Sequence, residues 1–139
     1  MDVDLEKQEE APGTARGGSE TILLVEDDES LRKLVQIVLE QNGYKILEAI
    51  NGEDALRVAE AYDGPIDMII TDVVMPRVGG RELINRLQPV YPDIKVIFMS
   101  GHTDSTIAHH GLLETGINFI QKPFSIRELA KKVREILNS

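Results

Sequence analysis

The sequence predicts an α/β fold, one parallel sheet covered by helices on both faces, and three observations carry that prediction. Five short apolar runs recur from residue 21 onward, at 21–26, 44–49, 66–71, 94–99 and 117–121. Segments with helical apolar spacing follow each of them. The runs themselves are nearly continuous in apolar residues, as strands buried on both sides are.

The elements follow in order. Residues 1–19, "MDVDLEKQEEAPGTARGGS", are polar and rich in Gly and Glu, which marks a flexible acidic linker ahead of a domain over 20–139. "TILLVE" is the first strand. In 29–41, Leu31, Leu34, Val35, Val38 and Leu39 form a helical face that Gly43 stops. After the strand at 44–49, a shorter face over 53–62 carries Ala55, Leu56, Ala59 and Tyr62. The strand at 66–71 precedes a helix over 80–90 with Leu83, Ile84, Leu87 and Val90, ended by Pro92. The helix expected over 104–115 is the poorest, with Gly111 inside it at a cost of about 1 kcal/mol relative to alanine. The last, 126–137, opens with "SIRE", a capping box with Ser125 as N-cap and Glu128 at N3. Alternation of this kind implies right-handed crossovers. A doubly wound, flavodoxin-like (βα)5 sheet of order 2-1-3-4-5 suits the length, because a closed eight-stranded barrel needs about 250 residues.

Composition narrows the function classes. There is no cysteine, which rules out disulfides, thiol nucleophiles and cysteine metal sites and is compatible with a reducing cytoplasm. No apolar run approaches the roughly 20 residues that cross a bilayer. The net charge of −9 argues against direct contact with nucleic acid, which needs a positive surface, and suits a basic partner or a divalent cation.

In a sheet of this order, ligands bind beyond the carboxyl ends of the strands. Strand 1 ends in Glu26, Asp27 and Asp28, strand 3 in Asp72, strand 4 in Ser100 and strand 5 in Lys122. Any one of these alone reads as a helix cap or a solvated turn residue. Together, three aspartates, a hydroxyl and a lysine converge on one rim. Two carboxylates about 4 Å apart repel by roughly 4 kcal/mol at an effective dielectric near 20. Few folds would collect three without a hard cation among them, and Mg²⁺ is the cation that oxygen ligands and phosphate oxygens suit.

The motifs "LLVEDD", "IITDVVMPRVGG", "IFMSGH" and "FIQKPFS", at their spacings over 21–137, resemble the receiver domain of two-component response regulators. That resemblance implies that Asp72 accepts a phosphoryl group from a partner phosphohistidine. The partner would be a sensor histidine kinase or a histidine phosphotransfer domain. It further implies that Asp27, Asp28, Asp72 and the carbonyl of Val74 hold Mg²⁺, with Glu26 apart from the metal. Lys122 would pair with Asp72 and then with a phosphoryl oxygen. Ser100 would hydrogen-bond the phosphoryl group, Phe119 would be the aromatic switch residue, and Lys122–Pro123 would be cis. Such a module catalyses its own phosphorylation and dephosphorylation. Val74 and His102 stand at positions that tune phosphoryl lifetime in this family, and Phe119 lacks the hydroxyl of the common tyrosine.

The expected output face is helix 4, strand 5 and helix 5, because the poor helix over 104–115 lies between Ser100 and Phe119. With the sequence ending at Ser139, no effector domain is expected to follow. "FMSGHTD" and "QKPFSIRELAKKVREIL" look most like the receiver of a hybrid sensor histidine kinase, working in the cytoplasm. The competing readings are a stand-alone regulator and a Mg²⁺-dependent aspartyl-nucleophile phosphatase. The phosphatase needs an acid two residues after its nucleophile, where this chain has Val74. A flavin or nucleotide binder on the same fold would need a Gly-rich loop where "EDDES" stands.

Overall fold

Thr21–Val25 is buried at every residue and forms an interior strand, β1, of the sheet. The structure is a computed structural model that describes residues 19–72, 78–100 and 118–138. After β1 come α1 (Glu29–Gln41), β2 (Lys45–Ala49), α2 (Gly52–Ala61), β3 (Met68–Asp72), α3 (Gly80–Leu87), β4 (Lys95–Ser100), β5 (Asn118–Gln121) and a C-terminal helix (Ile126–Leu137). The five strands are parallel in the order β2-β1-β3-β4-β5, as the alternation predicts. The helix expected over 104–115, with Gly111, His109 and His110, lies outside the described residues. So do Val74, His102 and all of the linker but Ser19.

Two apolar layers flank the sheet. On one side Leu23, Val25, Ile69 and Phe98 pack with Ala55, Ala59, Leu83 and Leu87 of α2 and α3. On the other, Ile22, Leu24, Met68, Ile70, Ile97 and Met99 pack with Val35 and Leu39 of α1 and Leu129, Val133 and Ile136 of the C-terminal helix. Burial on both sides is why the strands read as unbroken apolar runs.

Local chemistry sets the ends. Asp28 caps α1, Asn51 caps α2, and Ser125 with Glu128 makes the reciprocal capping box that "SIRE" encodes. Gly43 leaves α1 with φ of 98°, a left-handed conformation that glycine adopts without a Cβ clash. At the pole where the strands begin, the Arg134 guanidinium donates to Glu20 at 3.2 Å and lies 5.6 Å from the centre of the Tyr44 ring. The chain entering β1 is thereby tied to the C-terminal helix.

Two helical faces differ from their apolar spacing. On α1 the buried residues are Arg32, Val35 and Leu39, whereas Leu34 is 48% exposed. The turn towards Arg32 follows from its buried hydrogen bond to the end of β1. The third helix stops at Leu87 rather than 90, and the Val90 amide turns back to the Leu87 carbonyl at 3.0 Å in a three-residue turn. Val90 is consequently exposed instead of facing the core.

Candidate phosphoacceptor site

The site grows out of the sheet's period of two. On the face that carries Ile22 and Leu24, the next residue along β1 is Glu26. On β3 the same face runs Met68, Ile70, Asp72, and after β5 it runs Ile120, Lys122. Three charged groups therefore stand where three apolar rows end. The Lys122 ammonium lies 2.9 Å from Asp72 Oδ1 and 2.9 Å from Glu26 Oε1, joining strands that are 96 residues apart in sequence at their farthest. The Lys122–Pro123 peptide is cis, as the resemblance implies.

Carboxylate oxygens of Glu26, Asp27 and Asp72 all lie within 4.8 Å of one another. Among the described residues this is the group that can hold a metal ion. Its donor set is all oxygen, which fits a hard cation such as Mg²⁺. Asp28, expected among the ligands, is placed elsewhere: its Oδ1 accepts the Leu31 N–H at 3.1 Å and caps α1. Its own N–H donates to Glu26 Oε2 at 3.0 Å. Glu26, which the resemblance does not require at the metal, is the most buried acid of the cluster, at 2% exposure, and pairs with Lys122. The signal that finds it is the two-residue step from Ile22 and Leu24.

The electrostatics follow from burial and pairing. Burial pushes the Glu26 carboxyl above its ordinary value and the Asp72 charge adds to that, while Lys122 and the Asp28 amide oppose it. Burial pulls the Lys122 ammonium down, but its bonds to Glu26 and Asp72 outweigh this, and its pKa lies above the ordinary lysine value. Lys122 is therefore a permanent cation at neutral pH. Thr71, fully buried, donates its hydroxyl to the Asp72 carbonyl at 3.1 Å.

Of the remaining expected residues, Ser100 ends β4 opposite Gln121. Phe119 lies opposite Phe98 in register and is half-buried against the α2/α3 layer. Val78, where the described chain resumes after Asp72, packs against the start of α2. A Cβ built on Gly52 would come within 2.4 Å of the Val78 carbonyl oxygen, so only glycine allows that approach at the start of α2.

A doubly wound sheet with an aspartate, an acid pair and a lysine at the carboxyl ends of its strands defines a phosphoaccepting signalling module. The response regulator receiver domain model matches residues 22–134, and the chain belongs to that family. It is 39% identical over 124 residues to the sensor kinase CckA of Brucella abortus, covering 89% of this chain and 13% of that protein. It is 30% identical to the response regulator receiver protein CpdR of the same organism, covering 84% of this chain and 95% of that one. The crystal structure of the receiver domain from the hybrid histidine kinase CckA superposes with a TM-score of 0.69 at 35% identity, covering 84% of this chain and 98% of that one. The chain is thus a two-component receiver domain, similar to that of a hybrid kinase and spanning a small part of the CckA kinase's length. Receiver domains generally bind Mg²⁺ at an acidic pocket and interact with histidine kinases or phosphotransfer proteins. No helix among the described residues is long and apolar enough to cross a membrane.

Proposed function

We propose that Asp72 is the phosphoacceptor of this receiver and that Lys122, held between Asp72 and Glu26 at 2.9 Å from each, is the observation that carries the assignment. An Asp72 carboxylate oxygen attacks the phosphorus of a partner phosphohistidine. The P–N bond breaks, its electron pair leaves on the imidazole nitrogen, and Asp72 becomes an acyl phosphate. Phosphoryl transfer of this kind needs positioning and charge neutralisation more than covalent assistance. Mg²⁺ would supply part of that neutralisation. Asp27 and Asp72 would be its carboxylate ligands, with the Val74 carbonyl as the implied third protein oxygen. Asp28 serves the α1 cap instead, and Glu26 serves Lys122. Lys122 neutralises the second side of the acceptor and afterwards pairs with a phosphoryl oxygen. Ser100 would donate its hydroxyl to the phosphoryl group, with Phe119 on the neighbouring strand as the switch residue.

The likeness to the CckA sequence and receiver structure supports a place in a hybrid histidine kinase, in the cytoplasm, with residues 1–19 as linker to the kinase core. A stand-alone regulator is the second reading, favoured by the match over 95% of CpdR. Intact mass after incubation with Mg²⁺ and acetyl phosphate tests the acceptor. The parent gains one phosphoryl group, chelation of Mg²⁺ prevents it, and Asp72→Asn gains none. An Asp72→Asn variant that is labelled as readily as the parent overturns the assignment.

A further inference from the structure

Arg32 is the charged residue on the buried face of α1, at 9% exposure. Enclosing a guanidinium is unfavourable unless its donors are satisfied. Here Nη1 donates to the Glu26 carbonyl at 2.8 Å, a buried bond, and Nε donates to Glu48 Oε1 at 3.1 Å. Glu48 lies opposite Leu24 on β2 and is itself held by Lys33 at 3.3 Å.

The carbonyl that Arg32 grips belongs to the peptide joining Glu26 to Asp27. The ladder hydrogen bond from the Glu26 N–H to the Ala49 carbonyl, at 3.0 Å, fixes the near side of Glu26. Arg32 fixes the far side. The plane of that peptide decides the directions in which the Glu26 and Asp27 carboxylates leave the backbone. One must meet Lys122 and the other must meet Asp72. We propose that Arg32 is a positioning residue of the phosphoacceptor site, a brace anchored on Glu48 that orients the Glu26–Asp27 peptide and so aims Glu26 at Lys122 and Asp27 at the cation. The brace requires arginine in particular. The guanidinium is a flat fork whose separate donors reach the carbonyl and the carboxylate together, whereas a lysine ammonium is a point charge on a flexible stem.

This inference rests on the acid cluster being a Mg²⁺ site, and the experiment separates the two. Mg²⁺ affinity is measured by calorimetry on the parent, Arg32→Met, Arg32→Lys and Glu48→Gln. Amide chemical shifts of Glu26, Asp27 and Asp28 in metal-free protein and urea unfolding are recorded alongside. Arg32→Met is expected to bind Mg²⁺ about tenfold more weakly, equivalent to about 1.4 kcal/mol, with displaced amides at all three positions before metal is added. Arg32→Lys keeps the charge without the fork and remains several-fold weaker than the parent. Glu48→Gln retains an acceptor oxygen and falls between the parent and Arg32→Met. If Arg32 only fills space, urea stability falls while the folded variants keep parental Mg²⁺ affinity and amide shifts, and the proposal is overturned. Should Arg32→Met not fold, Arg32→Lys and Glu48→Gln decide by the same two readouts. A parent that binds no Mg²⁺ overturns the metal reading and the brace with it.

Discussion

Replacing Asp27 by asparagine separates the electrostatic cost of the acid cluster from its use. The substitution keeps the shape and removes one of three carboxylates whose oxygens lie within 4.8 Å of one another. At 4.8 Å each pair repels by about 3.5 kcal/mol at an effective dielectric of 20, and by about 0.9 kcal/mol in water. Asp27 is exposed, so solvent and salt bring its two pairs toward the lower figure. The Lys122 ammonium, paired to Glu26 and Asp72, offsets part of what remains. Metal-free Asp27→Asn should therefore be more stable than the parent by about 1–2 kcal/mol, read as a higher urea midpoint with an unchanged slope. Millimolar Mg²⁺ should stabilise the parent and leave the variant nearly unmoved, because a ligand stabilises only the state that binds it. A metal-free variant less stable than the parent, or one that Mg²⁺ stabilises equally, refutes the reasoning.

Three further outcomes follow from the geometry. Glu26 titrates above its ordinary value, so its contribution to folding is full below the unfolded pKa and is lost as pH rises through the folded one. Unfolding curves of metal-free parent and Glu26→Gln from pH 4 upward should differ by that falling slope, and parallel curves would count against the assignment. Gly52→Ala places a methyl group 2.4 Å from the Val78 carbonyl and should cost about 1–3 kcal/mol by overpacking, with a change of less than 0.5 kcal/mol speaking against the contact. Ser125→Ala removes the N-cap acceptor of the Glu128 N–H and should cost about 1 kcal/mol without altering Mg²⁺ affinity.

The sheet order, its parallel sense and the helix caps were legible because each is written in local chemistry. Ser125 and Glu128 encode a capping box wherever they precede an apolar run, and Gly43 ends a helix by permitting a positive φ. Asp72 and Lys122 were legible because each follows an apolar strand. Glu26 was harder, since three acids in a row offer no sign of which carboxylate turns inward. The two-residue step from Ile22 and Leu24 turns Glu26 inward and sets Asp27 apart, and Asp28, in the same phase, is drawn off by capping α1. Arg32 escapes an apolar template altogether. It shares the spacing of Val35 and Leu39, but the bonds that make its burial tolerable come from Glu26 and Glu48, which only the folded chain brings near. Val90 shows the opposite failure, an apolar residue in helical phase that lies one turn beyond the end of its helix.

The bond between Glu20 and Arg134 has a mechanical consequence. It fastens the start of the first strand to the last helix at one pole, while Glu26, Asp72 and Lys122 occupy the other. The five residues of β1 separate the poles by about 17 Å. Tension arriving along the chain at Glu20 is shared between that clasp and the two ladders that hold β1. The acidic pole can thus be handled by a visiting partner while the opposite pole stays moored, as a plug is held by its flange.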